Sequence, residues 1–209
     1  NGFKVDATIK GESCYSKNDG EISINNITGG TSPYQSMKWY NSTNDLIANS
    51  KNLEPGDYTF KFEDANNCIH QKTYTVVQKQ EFKVVLQIAK TIACNSEKNG
   101  KITAITSGGI QPLTYNWKDQ PSANTNQLIN ISAGTYELEV LDFDNCKAKT
   151  TVTLIEPKPI ILEDLKIKNT DCKNIKTGAI TILCSGASPN LEYKLKSQTE
   201  FGVENNFAN

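Results

Sequence analysis

NLEPGDYTFKFEDANNC, residues 52–68, returns 78 positions later as NISAGTYELEVLDFDNC, residues 130–146. The two copies have the same length and share Asn, Gly, Tyr, Asp, Asn and Cys at matching places. Inside each, large apolar residues alternate with polar ones. Tyr58, Phe60 and Phe62 alternate with Thr59, Lys61 and Glu63, and Tyr136, Leu138 and Val140 follow the same period in the second copy. A period of two sets one face of a strand on a core and the other in water, as antiparallel sheets do.

Working outward from this segment brings the rest of the chain into register. Cys14 through Gly20 matches Cys94 through Gly100, and then Cys172 through Gly178. After each glycine comes an alternating run: Glu21-Ile-Ser-Ile24, Lys101-Ile-Thr-Ala104 and Ala179-Ile-Thr-Ile182. A glycine corner with a proline follows, as Gly29-Gly-Thr-Ser-Pro33, Gly108-Gly-Ile-Gln-Pro112 and a shorter Gly186-Ala-Ser-Pro189. Trp39 matches Trp117, and the third copy offers Tyr193 and Leu195 nearby.

Three units result, at 1–79, 80–157 and 158–209. The third stops at Asn209, which aligns with Asn52 and Asn130, before the corner, the final hairpin and the second cysteine. It is expected to be truncated, and the chain a piece of a longer array that opens at Asn1 without an initiator Met or signal peptide. The spacing of short strands and turns predicts about seven strands per unit. The fold class is all-β: tandem immunoglobulin-like antiparallel β-sandwich repeats. The linkers around 77–81 and 155–159 are short, and Pro157 and Pro159 stiffen the second, so the units are expected to string out as a rod.

Composition excludes several function classes. The 209 residues are 37% apolar with a net charge of -1, as in an ordinary globular chain. All 22 basic residues are Lys. Without Arg forks or a positive field, nucleic-acid recognition is set aside. No run of about 18 apolar residues spans a membrane.

The recurring residues have structural readings with functional rivals beside them. Cys14 and Cys68 are 54 apart and Cys94 and Cys146 are 52 apart, each pair within one unit. Two disulfides inside the units are the simplest pairing, and they would imply oxidation outside the cytoplasm. The rival is a metal site, which cysteine pairs without CxxC or clustered His fit poorly. Cys172 is expected to pair beyond Asn209. Cys184 has no counterpart in the other units, and is left to bond Cys172 or stay free.

Trp39 and Trp117 read as core tryptophans, against a ligand-stacking platform. Tyr58 and Tyr136, just after Gly56 and Gly134, resemble the tyrosine corner that locks a sandwich crossover. Asp64, Asn66, Asp142 and Asp144 bring side-chain oxygens close together, as calcium loops do. Asp and Asn are equally at home in tight turns, and each loop is short of carboxylates, so turns are preferred and no metal or cofactor is expected. Little calcium dependence is expected in consequence.

No catalytic residue emerges. His70 is the only histidine and occurs in one unit, with no recurring Ser or Cys beside it. Glu54 and Asp57 could form an acid–base pair, but Ser132 and Thr135 stand there in the second unit. The double glycines match no phosphate loop.

The order Cys-x5-Gly, Gly-Gly-x-x-Pro, aromatic-x-Trp, Leu-x-x-Gly-x-Tyr and Asp-x-x-Asn-Cys resembles the SprB-type repeat of gliding-motility surface adhesins in Bacteroidetes, related in pattern to PKD-like and immunoglobulin-like modules. Cys14, Gly20, Gly29, Gly30, Pro33, Trp39, Gly56, Tyr58, Asp64 and Cys68 carry it in the first unit. Cys94, Gly100, Gly108, Gly109, Pro112, Trp117, Gly134, Tyr136, Asp142 and Cys146 carry it in the second. Asn67 and Asn145 stand where that family usually has Gly, a conservative exchange at a left-handed position. The third unit lacks the Trp and the double glycine. The resemblance implies a secreted protein on the outer-membrane exterior, exported by the type IX machinery and acting in adhesion or gliding.

Three functions compete: a spacer rod, a module binding polysaccharide or other surface proteins, and an accessory segment of a secreted enzyme. Folding accounts for nearly every recurring position, which favours the spacer, with neighbouring repeats as its partners. Tyr34, Tyr40 and Tyr115 are the aromatic candidates if ligand is bound, although alternation from Trp39 sends Tyr40 to the opposite face.

Overall fold

The computed structural model describes residues 3–171, 177–186 and 191–194, and the backbone of 206–208. Cys172, Pro189, Leu195 and Asn209 lie outside the described residues. Every regular element among the described residues is a strand. No described helix is long and apolar enough to cross a membrane.

The first repeat contains β1 (Lys4–Lys10), β2 (Gly20–Thr28), β3 (Gln35–Tyr40), β4 (Leu46–Ile47), β5 (Lys51–Leu53), β6 (Gly56–Glu63) and β7 (Ile69–Val76). One sheet has the order β1-β2-β5 and the other β4-β3-β6-β7, with antiparallel pairs throughout. The alternation of β6 is realised directly: Tyr58, Phe60 and Phe62 are buried, while Asp57 is exposed and Thr59 and Lys61 are only partly covered. They meet Val5, Ile22, Leu53, Tyr74 and Val76 in one apolar cluster between the sheets, with Phe3, Tyr34 and Trp39 packed at its margin.

The second repeat contains β8 (Lys83–Lys90), β9 (Gly100–Ser107), β10 (Thr114–Trp117), β11 (Gln127–Ile131), β12 (Gly134–Leu141) and β13 (Lys147–Leu154). Its sheets, β11-β9-β8 and β10-β12-β13, keep the order of the first repeat but have no counterpart of β4, so six strands stand here where the spacing predicts about seven. Ile102, Leu138 and Val140 are fully buried there. In the third, β14 (Ile161–Lys168), β15 (Ala179–Ser185) and β16 (Asn206–Ala208) form one sheet. Ala179 is paired with Ala208 as Glu21 is paired with Lys51 in the first repeat. By compactness the chain divides into one unit of Asn1–Val85, Ile105–Asn116 and Leu138–Thr150, and another of Leu86–Ala104, Trp117–Glu137 and Thr151–Asn209.

Strand direction decides where each loop of the first repeat lies. Gly20 pairs with Leu53, Gly56 pairs with Val76, and a methyl group on Gly20 would meet the Val76 side chain. The loop carrying Cys14, which leads into Gly20, is therefore at the Gly56–Val76 end. From there β6 runs the length of the sheet to the Glu63–Ile69 pair and the 64–68 hairpin. Seven residue steps at about 3.3 Å put that hairpin roughly 23 Å away.

Candidate functional site

The corner before β6 is built on glycine and tyrosine. Gly56 and Gly134 have φ of 152° and 156°, which residues with a Cβ rarely adopt. Just beyond, the Tyr58 hydroxyl donates to the Glu54 carbonyl at 3.0 Å and the Tyr136 hydroxyl donates to that of Ser132 at 2.8 Å. Burial pushes both phenols up from their ordinary value; at Tyr58 the nearby Glu54 charge adds to this.

The two Asp-Asn hairpins are organised by their own backbone. Asp64 Oδ1 accepts from the amides of Asn66 at 2.9 Å and Cys68 at 3.0 Å, while Oδ2 accepts from Thr31 at 3.3 Å. Asp142 does the same, accepting from Cys146 at 2.8 Å and from Ile110 at 3.1 Å. Both carboxylates are buried. Asn67 and Asn145 take left-handed φ of 59° and 63°, closing turns in which their amides donate to the Asp64 and Asp142 carbonyls. Asn66 is turned to Thr31, and Asp144 is 2.7 Å from Lys79. The described residues contain no cluster of three or more His, Cys, Asp or Glu able to hold a metal.

The Cys68 amide holds the Asp64 carboxyl below its ordinary value of 3.8, against the opposing effect of burial. Because the folded state binds this proton less readily than the unfolded chain, the stabilisation is complete above that ordinary value. It is lost as pH falls through the lowered one. Acid titration of thermal unfolding from about pH 5 to about pH 2 should show a smaller acid dependence in Asp64→Asn than in the parent. Equal acid dependence in the two would show that Asp64 contributes nothing to it.

The aromatic candidates are separately engaged. Tyr34 donates to the Gly29 carbonyl at 2.7 Å and meets Phe3 and Phe62 edge-on. The Lys61 ammonium sits 4.4 Å from the centre of the Tyr40 ring, and Tyr115 is half-buried on β10. Trp117 is buried, with its indole N–H donating to the Thr125 carbonyl at 2.9 Å. Trp39 is only half-buried, its ring tilted against Phe60 at 4.9 Å and Tyr74 at 6.0 Å, centre to centre. His70 stacks on Phe3 at 3.8 Å, with Nε2 3.9 Å from Asp64 Oδ2.

The cysteines pair differently from the sequence expectation. Cys14 is bonded to Cys146, 132 residues away, while Cys68, Cys94 and Cys184 are free thiols. The within-repeat pairs Cys14–Cys68 and Cys94–Cys146 are not formed, and the reason is length. Cys14 and Cys68 occupy opposite ends of one sandwich, roughly 23 Å apart along β6, whereas a disulfide holds its Cα atoms at 5.5 Å here.

What brings Cys146 to Cys14 is the linker. After Val76 the chain passes directly to Glu81 and Phe82, which cover Gly108 and Gly109 so closely that a side chain on either would collide with them. Both glycines have left-handed φ, 70° and 72°. This corner leads to Ile110, whose amide is held by Asp142, four residues before Cys146. Buried Glu12 completes the junction, accepting from the amides of Asn18 at 3.0 Å and Lys79 at 3.4 Å. Glu12 has Ile92 as its counterpart in the second repeat, so the repeat pattern did not single it out. Cys14, Tyr15, Phe82, Ile110 and Cys146 border a cleft of about 410 Å³ beside the bond.

Two segments, residues 7–44 and 88–121, match the sequence model of the SprB repeat. Each runs from the first strand of its repeat through the cysteine loop and the glycine corner to the third-strand region or just beyond. No curated protein matches the chain. Among solved structures it is similar to the C-terminal 282-residue fragment of intimin, determined in complex with the translocated intimin receptor (Tir) intimin-binding domain. The identity is 12% and the TM-score 0.39, over 77% of this chain and 67% of that one.

Proposed function

We propose that this chain, which carries SprB repeats over 7–44 and 88–121, is a non-catalytic segment of a secreted cell-surface adhesin. Its repeats, taken as 1–79, 80–157 and 158–209, act in series as a disulfide-tied strut in adhesion or gliding. The carrying observation is the Cys14–Cys146 bond, which ties the loop of one repeat to the hairpin of the next. A bond between successive repeats suits a protein that bears load along its length, and needs an oxidising location outside the cytoplasm. The other recurring residues fit this reading, since corner, core and hairpin clamp use them up. Neighbouring repeats are the immediate partners, and export by the type IX machinery belongs to the same proposal through the family resemblance.

Antibody raised against the chain should label intact cells of its source without permeabilisation. Labelling only after permeabilisation would remove the surface reading. On a panel of bacterial and algal polysaccharides, with and without calcium, the chain should show no retention. Retention that disappears in Tyr40→Ala or Tyr115→Ala would replace the strut with a glycan-binding module.

A further inference from the structure

The bond between Cys14 and Cys146 leaves Cys68 and Cys94 as exposed thiols, each in the surroundings of a bonded partner. In the loop of Cys94, the Glu97 amide donates to the Cys94 carbonyl at 3.3 Å and Ser96 has φ of 64°. In the loop of Cys14, the Lys17 amide donates to the Cys14 carbonyl at 3.1 Å and Ser16 has φ of 56°. Cys68 is presented by the same Asp-clamped turn as Cys146, with amide-to-carboxylate distances of 3.0 and 2.8 Å.

The entry of the chain into each repeat also recurs. The Glu81 carbonyl and Phe82 close over Gly108, and the Pro159 carbonyl and Ile160 close over Gly186. Near Cys94, Glu156 of the second linker accepts from the Asn95 side chain at 3.1 Å and the Ser96 amide at 2.8 Å. The first linker is tied with the roles reversed, Glu12 on the cysteine side accepting from the linker amide of Lys79 at 3.4 Å.

We propose that the bond follows a rule of the array: the loop cysteine of each repeat is bonded to the hairpin cysteine of the repeat that follows. Cys94 is the attachment site for the hairpin cysteine of a following SprB-type repeat, and Cys68 for the loop cysteine of a preceding one. The inference rests on the strut reading and gives the strut its covalent connectivity. Each bond forms as two thiols give up two protons and two electrons to a small-molecule disulfide such as oxidised glutathione. The oxidant leaves as two thiols after a mixed-disulfide step. Because the Cys14–Cys146 span contains Cys94, successive bonds interleave. Load then passes from bond to bond, and no single repeat can be drawn out alone.

The test places a copy of residues 82–159 directly ahead of Phe3 in the full chain, so that the added repeat enters the first through a natural linker. The copy is marked by Thr91→Ser and Phe143→Leu at exposed positions, so that its two cysteine peptides differ in mass from the originals. After refolding in oxidised and reduced glutathione, the chain is alkylated, digested without reduction and mapped by mass spectrometry. The expected map holds Cys14–Cys146 and a new peptide joining the added copy of Cys94 to Cys68. Cys68→Ser should abolish the new peptide and leave the first. Cys14–Cys146 with Cys68 alkylated overturns the rule alone. A bond between the added copies of Cys94 and Cys146 overturns it as well. Absence of Cys14–Cys146 would overturn the stapled strut itself, and the rule with it.

Discussion

Stretched between handles at its two ends until it unfolds, the reduced chain should extend roughly 450 Å further than the chain with the Cys14–Cys146 bond intact. That length is the 132-residue separation of the two cysteines at about 3.4 Å per residue. In the oxidised chain the bond carries tension across the junction, and the residues between the two cysteines are bypassed. Closing a loop of this size also constrains the unfolded chain by roughly 5 kcal/mol in the chain-entropy model, comparable to the whole stability of a small domain. Cys14→Ser and Cys146→Ser should therefore lower the denaturant midpoint equally, and the double substitution by no more than either, because all three remove one bond. Cys68→Ser and Cys94→Ser remove exposed free thiols and should change the midpoint of the isolated chain little. A large loss with Cys68→Ser, matching that of Cys14→Ser, would restore pairing within the repeat.

Phe62→Ala should be the most damaging core substitution in the first repeat. The ring is 1% exposed and sits among four others. Phe3 lies 4.7 Å away, Phe60 5.2 Å, His70 5.7 Å and Tyr34 5.8 Å, centre to centre. Truncation loses the burial of the ring and leaves a cavity that the surrounding rings cannot close, at a cost of about 3–5 kcal/mol. Phe143→Ala is the fitting control, since that side chain is 65% exposed in the second hairpin, and its effect should stay within about 0.5 kcal/mol. Equilibrium unfolding in denaturant, followed by the Trp39 and Trp117 fluorescence, would measure both. A cost near that of the control would mean that the Phe62 cluster is not the core of this sandwich.

Much of the architecture was legible because each element is announced locally. Alternation in Tyr58-Thr-Phe-Lys-Phe62 names both the strand and its buried face, and Phe60 and Phe62 are buried as that period requires. The 78-residue recurrence carried the same reading into a second and a third repeat. Trp39 is less legible, since its position on β3 repeats in Trp117 but its exposure depends on how much of that face of the sheet is covered. Glu12 was not legible at all. Its burial comes from a linker amide at Lys79, 67 residues on, and no local pattern encodes that contact.

The cysteines divide the two kinds of information most clearly. Position and recurrence of Cys14, Cys68, Cys94 and Cys146 are properties of the chain, and they mark cysteine sites that return with the repeat without naming the partner of any. Which cysteine meets which depends on the direction in which β6 leaves the Gly56 corner, and on where Glu81 and Phe82 seat the next repeat. Those are relations between strands, settled only when the sheets close. Spacing along the chain favours a partner 54 residues away, but an extended strand carries that partner to the far end of the sandwich. The short linker brings one 132 residues away into bonding distance instead.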